Sequence, residues 1–365
     1  MPKCPTSARQ ALQIDGSAGE GGGQILRSSL SLSAITGTPI RLSGIRAGRR
    51  KPGLMRQHLS CVESVAALCG ARTSHLQIGA TELEFTPGEI LPLEAGTTFA
   101  IGTAGSTSLL AQAILPVALF ADQPSEIILE GGTHVKGAPC TDYLIEVFTP
   151  ALRAMGTDVE IDLQRHGFFP AGGGRVTLRI QPWTERRAIA IHERSAKQDL
   201  EIHAEVRATK GLPKTVIERE FEALEKTLGL SDSDRFVQNL RDTSCQGNAV
   251  IVRVANSNKA NNDQQSPGLV TLACGLGERG KSADRVVRET AWDIQRLLTN
   301  SAGAPVDEYL ADQLLLPMAL AGKGSFTTIE LSKHFTTNVE VIQQFLDIDI
   351  QTTSIEGDAF RVEVG

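Results

Sequence analysis

One order of secondary structure recurs along this chain and restricts its fold more than any other feature. Leu54–Leu68 is apolar at helical spacing and is followed by two strand-like runs, HLQIG and LEFTP. Tyr143–Met155 is followed in the same way by VEIDLQ and RVTLRI, and Val339–Phe345 by two alternating runs within IDIQTTSIEGDAFRVEV. A helix followed by a β-hairpin is therefore predicted three times.

The segments before these hairpins also match one another. Each holds an apolar helix followed by a strand, at 25–45, 106–132 and 309–332. Each unit is thus predicted to run β-α-β-α-β-β, at 11–95, 97–183 and 305–365, although no convincing strand stands directly before Tyr309. This predicts an α+β fold in which two helices cover one face of each sheet. Because the loops after the second strands are equivalent, we expect their polar side chains to share one cleft.

Residues 186–304 do not follow the repeat. LEIHAEVRA, NAVIVRVA and GLVTLAC are typical of strands, whereas Lys214–Leu228 and Ala283–Leu298 are typical of helices. The polar, aromatic-free stretch 256–266 predicts a mobile loop. We therefore predict a repeat domain made of 1–185 and 305–365, and a smaller inserted domain at 186–304.

Composition argues against several classes of function. A net charge of −6 and an aromatic content of 4% argue against a protein that coats nucleic acid, so any such contact should be local. The six cysteines show no CxxC pair and no metal-ligand spacing, which fits a reducing compartment. No apolar signal segment and no run of about 18 apolar residues occurs. We expect a cytoplasmic protein that does not enter a membrane.

The glycine-rich stretch 15–27, DGSAGEGGGQILR, joins a strand to a helix. Free N–H groups at a helix N-terminus can hold a phosphate, and glycines let the chain approach it closely. Glu20 would repel that phosphate unless a divalent cation lay between them. The alternative is a tight turn with a solvent-exposed glutamate.

Two further segments carry chemistry. RAGRRKPGLMRQH, 46–58, concentrates guanidinium groups that can clamp phosphate oxygens, so it suggests binding of a polyphosphate or a nucleic-acid end, with a solvated basic turn as the alternative. His334 lies in ELSKHFTTN, at a predicted strand end. Its imidazole could act as a base, a metal ligand or a nucleophile, and the alternative is a histidine without a chemical role.

A phosphate-binding motif also occurs at Gly275–Ser282. GLGERGKS matches the pattern G-x-x-x-x-G-K-[ST] between a predicted strand and a predicted helix. No later strand ending in aspartate is available to hold magnesium, so we interpret the match as accidental. A P-loop phosphotransferase that uses Lys281 is kept as an alternative.

Six motifs carry a resemblance to a known family. They are, in chain order, EGGGQILRSSLSLS, RAGRRKPGLMRQHL, FAIGTAGSTSLLAQ, HGFFPAGGG, EYLADQLLLPMALAG and HFTTN. In this order they closely resemble the RNA 3′-terminal phosphate cyclases, over essentially the whole chain. The resemblance implies three β-α-β-α-β-β modules like the C-terminal domain of a bacterial translation initiation factor, with a smaller thioredoxin-like insertion.

The resemblance also implies a reaction. A histidine attacks the α-phosphorus of ATP, AMP passes to an RNA 3′-phosphate, and the neighbouring 2′-hydroxyl closes a 2′,3′-cyclic phosphodiester. His334 matches the nucleophile, which places the chain in the catalytic branch of the family. ATP and Mg²⁺ or Mn²⁺ are the implied cofactors, RNA with a 3′-phosphate end is the implied partner, and a homodimer is a candidate assembly.

Site residues are carried over from the same motifs. Glu20 would hold the divalent ion. The ATP site would be lined by Gln112, Tyr309, Leu310, Ala311, Asp312 and Gln313. The triphosphate or the RNA terminal phosphate would be bound by Arg27, Arg46, Arg49, Gln57 and His58.

The chain departs from the family pattern in one loop, GGTHVKGAPCTDY. Relatives more often have a second proline in place of Cys140, and the pattern assigns no role to His134. Two further alternatives are kept. One is a cyclase-like protein without catalytic activity that acts in ribosomal RNA processing, and the other is a related repeat-fold transferase for a small anionic metabolite.

Overall fold

The computed structural model describes residues 10–194, 199–256 and 270–365 of the chain. These residues form a mixed α+β structure with four sheets of four strands each. The loop predicted at 256–266 lies, after its first residue, outside the described residues. Within the described ranges, no helix is both long and apolar enough to cross a membrane.

The first sheet has the strand order β1-β2-β4-β3. Strands β1 and β2 are parallel, and β4 is antiparallel to both of its neighbours. The elements are β1 (Leu12–Asp15), α1 (Gln24–Thr36), β2 (Ile40–Ser43), α2 (Arg56–Cys69), β3 (Arg72–Thr73) and β4 (Leu83–Thr86). The prediction of a strand at HLQIG is wrong: β3 ends before His75, because residues 77–80 form a turn in which Gly79 has a φ of +85°.

The second sheet has the equivalent order, β5-β6-β8-β7, again with its first two strands parallel. Its second helical segment is interrupted by a π-helical turn at Leu144–Phe148. The elements are β5 (Thr97–Ala100), α3 (Thr107–Ala118), β6 (Ser125–Gly131), α4 (Thr141–Tyr143), α5 (Thr149–Ala154), β7 (Val159–Arg165) and β8 (Gly174–Ile180).

Strand β9 (Ala190–Ile191) is followed by a separate sheet and two helices. The sheet has the order β11-β10-β12-β13, in which β10 and β11 are parallel and the other pairs antiparallel. The elements are β10 (Leu200–Thr209), α6 (Lys214–Leu228), β11 (Arg235–Leu240), β12 (Asn248–Asn256), β13 (Thr271–Leu276) and α7 (Ala283–Leu298). Strand β11 was not predicted, because most of its side chains are exposed and no apolar alternation marks it.

The C-terminal segment completes the fourth sheet. Its elements are α8 (Glu308–Ala321), β14 (Gly324–Thr328), α9 (Lys333–Phe345), β15 (Ile350–Ile355) and β16 (Ala359–Val364). The order β9-β14-β16-β15 repeats that of the first two sheets, and β9 is parallel to β14. The first strand of this unit therefore lies within 186–304, the range assigned to the insertion, and not directly before Tyr309. The division of the chain into two domains stays a prediction.

Helix α1 lies at the centre of the helical layer, packed against α2, α3 and α9. Its serines allow this close packing. Ser31 Oγ donates to the Ala113 carbonyl of α3 at 2.9 Å, and Ser28 Oγ donates to Asn338 Oδ1 of α9 at 2.6 Å. Both serines are buried, so their hydroxyls need these partners. The helix that follows the glycine-rich turn thus joins all three repeated units.

Residues 199–298 have a core of their own, which includes Val206, Leu224 and Val252. Two charged contacts hold this block against the second unit. Arg253 donates two hydrogen bonds to Glu146, at 2.7 and 2.8 Å, and Arg207 Nη2 lies 2.6 Å from Asp142 Oδ1. These half-buried and buried ion pairs fix the orientation of the block.

Phe326 provides a test of the packing beneath α9. It is fully buried in β14 and packs edge-on against Phe335, with ring centroids 6.5 Å apart. We expect Phe326→Ala to lower the free energy of unfolding by about 3–5 kcal/mol, because it leaves a cavity. The measurement is urea unfolding followed by circular dichroism. Phe236→Ala is the control, because Phe236 is 55% exposed and its loss should change stability by about 0.5 kcal/mol or less.

Candidate active site

A single cleft of about 840 Å³ is lined by all three repeated units and by the block at 199–298. Most of the residues selected from the sequence line it. They are Glu20, Arg27, Arg46, Arg49, Gln57, His58, Gln112, Tyr309, Asp312, Gln313 and His334. The expectation that polar side chains of the equivalent loops share one cleft agrees with the structure in part: Arg46, Arg49, Lys136 and His334 line it, whereas Arg50, Lys51, Thr133, His134 and Lys333 do not.

Glu20 is held inside the glycine-rich turn. Its backbone N–H donates to Thr337 Oγ1 of α9 at 3.1 Å, and its Oε1 accepts the N–H of Gln24, the first residue of α1, at 3.2 Å. Only 6% of the side chain is exposed. The alternative of a turn with a solvent-exposed glutamate is wrong, because the carboxylate is needed at the N-terminus of a buried helix.

Two basic groups converge on the same carboxylate. Arg49 Nη2 donates to Glu20 Oε2, and His334 Nδ1 lies 3.4 Å from that oxygen. These residues come from the turn before α1, the loop before α2 and the third unit. More than 300 residues of chain separate Glu20 from His334, yet the two side chains meet over one helix N-terminus.

His334 lies in the first turn of α9, not at the strand end predicted for it. Helix α9 begins there because Ser332 is its N-cap and accepts the N–H of Phe335 at 3.1 Å. The imidazole is 48% exposed and faces the cleft. Burial lowers the pKa of His334, and the Glu20 carboxylate partly opposes that effect. The side chain is therefore an accessible imidazole that favours its neutral form.

Arg27 is buried beneath this group with spare hydrogen-bonding capacity. Its Nη2 donates to Gln24 Oε1 at 2.5 Å, whereas its Nε has no partner among the described residues. Burial raises the pKa of Asp312 to about 7, although Arg27 and a hydrogen bond from Asn338 at 3.1 Å oppose the shift. A carboxyl that is only partly ionised near neutral pH leaves Arg27 positive charge available for an anion.

The basic loop divides into residues that shape the cleft and residues that face solvent. Arg46 has a φ of +55° and donates from Nη1 to the carbonyls of Lys51 and Gly53, at 2.7 and 2.9 Å. Arg46 and Arg49 line the cleft, whereas Arg50 is exposed and does not. Arg46 therefore also holds the loop in shape.

His58 and Gln57 start α2. His58 Nδ1 accepts the N–H of Met55 at 3.2 Å, and Gln57 Oε1 accepts the N–H of Ser106 at 2.9 Å. Gly23 is required beside them, since a Cβ at this position would lie 2.8 Å from His58 Nε2. The glycine-rich turn and the basic segment are therefore packed directly against each other.

Only some of the α8 residues that were predicted to line the ATP site lie in the cleft. Tyr309, Asp312 and Gln313 line it together with Gln112. Leu310 and Ala311 do not line it, and they are about 1% and 0% exposed within the apolar core. All five residues 309–313 were predicted to line the ATP site, but on an α-helix only residues three or four positions apart point to the same side.

The sequence analysis did not predict that the block at 199–298 contributes to the cleft. Strand β13 and the cleft side of α7 form one wall, with Glu278, Lys281, Asp293 and Arg296 among the lining residues. This wall forms because the block at 199–298 packs against the repeated units. The periodicity of the sequence does not predict such a contact between distant segments.

The environment of Lys281 argues against a P-loop. Its Nζ lies 2.7 Å from Glu289 Oε2 and donates to the Leu276 carbonyl at 3.5 Å. The Ser282 hydroxyl accepts the N–H of Arg285 as the N-cap of α7. Strand β13 is also an edge strand antiparallel to β12, whereas a P-loop follows a strand of a parallel sheet.

Comparison with known proteins decides the family. A sequence model of the family described as RNA 3′-terminal phosphate cyclase matches residues 18–352. Proteins named RNA 3′-terminal phosphate cyclase from Ralstonia nicotianae and Koribacter versatilis are 44% and 37% identical to the chain, over 97% and 98% of it and 96% of their own lengths. The protein of that name from Salmonella enteritidis PT4 is 40% identical over 94% of the chain and 96% of its own length.

The chain belongs to the RNA 3′-terminal phosphate cyclase family.

The resemblance drawn from six motifs is thereby confirmed, and with it the expected class of enzyme at the level of the cyclase family. The roles of single residues in the cleft stay predictions. His334 and Glu20 lie within the matched range, as do all the other residues selected for the site.

The packing of the glycine-rich turn against His58 can be tested through the pH dependence of stability. Burial is the main cause that lowers its pKa to about 3, and the positive charges of Arg46 and Arg27 add to it. An unfolded chain protonates this histidine below its ordinary pKa of about 6.5, whereas the folded protein does not. The neutral His58 thus contributes stability above pH 6.5, and this contribution is lost as the pH falls toward 3.

We expect His58→Gln to weaken the pH dependence of the free energy of unfolding between about pH 6.5 and 4. Denaturant titrations at several pH values would measure it. His75→Gln is a matched control on an exposed histidine and should leave that dependence as in the wild type. A His58 imidazole proton resonance that titrates near pH 6.5 would contradict the prediction.

Proposed function

We propose that this protein converts an RNA 3′-terminal phosphate to a 2′,3′-cyclic phosphodiester at the expense of ATP, through an AMP bound covalently to His334. The observation that carries the proposal is the position of His334. Its imidazole is half exposed in the cleft, favours the neutral form and contacts the carboxylate of Glu20. Such an imidazole is suited to nucleophilic attack.

In the first step, His334 attacks the α-phosphorus of ATP. Nδ1 faces Glu20 Oε2 at 3.4 Å, so Nδ1–H is the form that the carboxylate stabilises and Nε2 carries the free electron pair. The Nε2–P bond forms, the bond between the α-phosphorus and its bridging oxygen breaks, and pyrophosphate leaves. Glu20 is therefore proposed as the residue that fixes the tautomer and orientation of the nucleophile.

In the next steps, an oxygen of the RNA 3′-phosphate attacks the same phosphorus and displaces the imidazole. The resulting end carries a diphosphate linkage to AMP. The neighbouring 2′-hydroxyl then attacks the RNA phosphorus, and AMP leaves as the 2′,3′-cyclic phosphate forms. A covalent relay of this kind transfers the free energy of ATP to a ring closure that does not proceed by itself in water.

The basic residues of the cleft would bind the two anions. Arg27 has a buried, unpartnered Nε, and Arg49 is already directed at Glu20. Such guanidinium groups stabilise charge that develops on phosphate oxygens. The neutral His58 and the amide of Gln57 lie beside them and add hydrogen-bonding groups without adding charge.

The adenosine would be bound on the α8 side of the cleft. Tyr309 is 48% exposed and has its ring edge-on to Tyr143, with centroids 6.2 Å apart. Gln112 and Gln313 lie beside it on the lining, and Gln313 Oε1 has no partner among the described residues. An aromatic face and free amide groups suit a nucleobase.

The geometry limits how a divalent cation could be held. Both oxygens of Glu20 already have partners, Gln24 and Arg49, and no group of three ligand residues in the described ranges includes this carboxylate. Mg²⁺ often takes one carboxylate and completes its shell with substrate phosphates and water. Glu20 fits that limited role once Arg49 turns to a phosphate. The ion would offset negative charge on the triphosphate.

The finer description of the fold is also a proposal. Three sheets share one strand order, and the block at 199–298 has a separate core. These observations support three β-α-β-α-β-β modules of the translation-initiation-factor type and a thioredoxin-like insertion. We place the start of the insertion after β9, because that strand pairs with β14.

Covalent labelling tests the nucleophile. The wild-type protein, incubated with ATP labelled at the α-phosphate and a divalent metal, is expected to retain an acid-labile, base-stable label. His334→Ala removes the attacking nitrogen and should abolish the label. His203→Ala is the control, because His203 is 41% exposed in β10 and should leave labelling intact. A label that survives in His334→Ala would overturn the mechanism, and its loss in Lys281→Ala alone would favour the P-loop alternative.

Glu20→Gln tests the proposed orientation of His334. The amide keeps an acceptor for the Gln24 N–H but removes the charge that holds Nδ1–H and Arg49. We expect the rate of His334 adenylation to fall by about 10²–10⁴-fold, and more metal to be needed for half-maximal rate. Glu82→Gln, which removes an exposed pair with Arg41, should leave both values unchanged. A wild-type rate in Glu20→Gln at equal stability would contradict the assignment.

A further inference from the structure

A second cluster of reactive side chains lies away from His334. Within residues 10–194, 199–256 and 270–365, one group of three potential metal ligands occurs: His134, Cys140 and Cys274. One ring nitrogen and the two Sγ atoms all lie within 4.8 Å of one another. His134 and Cys140 are buried, and Cys274 is half-buried. We call these three residues the thiol–imidazole cluster.

This cluster could not be predicted from the sequence, because its ligands lie on two distant segments. His134 and Cys140 belong to the loop between β6 and α4, and Cys274 belongs to β13 of the block at 199–298. Only His134 and Cys140 are close in sequence. The third ligand, Cys274, comes near them because the block at 199–298 packs against the second unit. None of the three residues has a part in the mechanism proposed above.

The upper bound on the separations allows a tetrahedral zinc ion. With Zn–S bonds of about 2.3 Å and Zn–N bonds of about 2.0 Å, ligand atoms of such an ion lie roughly 3.5–3.8 Å apart. The bound of 4.8 Å on the cluster is compatible with these separations. Two sulfurs and one imidazole are also donors that zinc prefers over magnesium or calcium.

A buried carboxylate beside the cluster orients His134. Asp142 Oδ2 lies 2.9 Å from His134 Nε2, and Asp142 Oδ1 is paired with Arg207 at 2.6 Å. The other ring nitrogen, Nδ1, lies 2.9 Å from the Thr133 hydroxyl, so a metal ion at Nδ1 would replace that hydrogen bond. Metal-binding histidines are commonly oriented by a carboxylate on the nitrogen that faces away from the metal.

Zinc binding would not change the net charge of the cluster. A Zn²⁺ ion replaces the protons of the two thiols, so its two positive charges offset the two thiolates that form. The surrounding groups Asp142, Arg207, Glu205 and Arg253 are already paired with one another.

The ion would have a route to the cluster. Cys140 and Cys274 line the large cleft, whereas His134 lies behind them. We propose that His134, Cys140 and Cys274 bind one Zn²⁺ ion, which joins the loop of the second unit to the block at 199–298. The fourth position faces the cleft. The bound ion would hold the two walls of the cleft at one separation.

Metal titration of the reduced, metal-free, full-length protein tests the site. Zn²⁺ is titrated in competition with a chromophoric chelator, and Co²⁺ is used as a spectroscopic probe of thiolate ligation. We expect one zinc ion per chain and thiolate-to-cobalt charge-transfer absorption. Cys140→Ser and Cys274→Ser should each weaken zinc binding by more than about 100-fold, since loss of an outer-shell partner alone costs 10–100-fold.

Cys245→Ser is the matched control. Cys245 is half-buried in the same block, and its Sγ donates to the Phe168 carbonyl at 3.4 Å. It should bind zinc as the wild type does. Zinc should also raise the melting temperature of the wild type and of Cys245→Ser, but not that of Cys274→Ser. This comparison still tests the site if Cys140→Ser fails to fold.

Three outcomes would overturn the proposal. They are failure of the reduced wild type to take up zinc, wild-type affinity in both serine variants of the cluster, and a Cys140–Cys274 disulfide in a protein that binds no zinc when reduced. None of these readouts depends on RNA cyclisation or on His334 labelling. The zinc site and the proposed reaction can therefore fail separately.

Discussion

The N-terminus of α1 is the place on which the arrangement of the cleft depends. Its first N–H is satisfied by Glu20, whose buried carboxylate is paired with Arg49 and His334. The N–H of Glu20 is in turn bonded to Thr337 of α9. A carboxylate with little solvent is costly unless it is paired, so the first and third units must dock for this turn to be stable. Folding of the repeats and assembly of the site are therefore one event.

Burial of individual side chains also sets the protonation of the cleft. Burial favours the neutral forms of His58, His334 and Asp312 together, and leaves positive charge on the arginines. The arginines beside Glu20 can attract phosphate, whereas carboxylates such as Glu278 and Asp293 lie on the wall formed by residues 199–298. The acidic net charge of the chain is compatible with an anionic substrate, because attraction is confined to one cleft.

The sequence predicted much of this fold because the repeats have strong periodicity. The helices of the three units and the hairpins of the second and third units were located, and the motifs identified the family, whereas the first strand of the first hairpin was misplaced. The errors have physical causes. Strand β9 was missed because a strand of two residues has no recognisable pattern. Leu310 and Ala311 were assigned to the site with their sequence neighbours, although they lie on the buried side of the helix. His334 was placed at a strand end because Ser332 was not recognised as a helix N-cap. The wall formed by β13 depends on docking, which local patterns do not encode.

Strand β9 is the first strand of the fourth sheet, and the whole block at 199–298 separates it in sequence from β14 and the rest of that sheet. The ribosome must release all of that block before β14 can join β9, so the third unit is the last to form during synthesis. The entropic penalty for closing such a loop grows only with the logarithm of its length, by about 0.6 kcal/mol for each doubling. The size of the intervening block is therefore nearly free to vary over evolution, whereas the two strands that flank it are not.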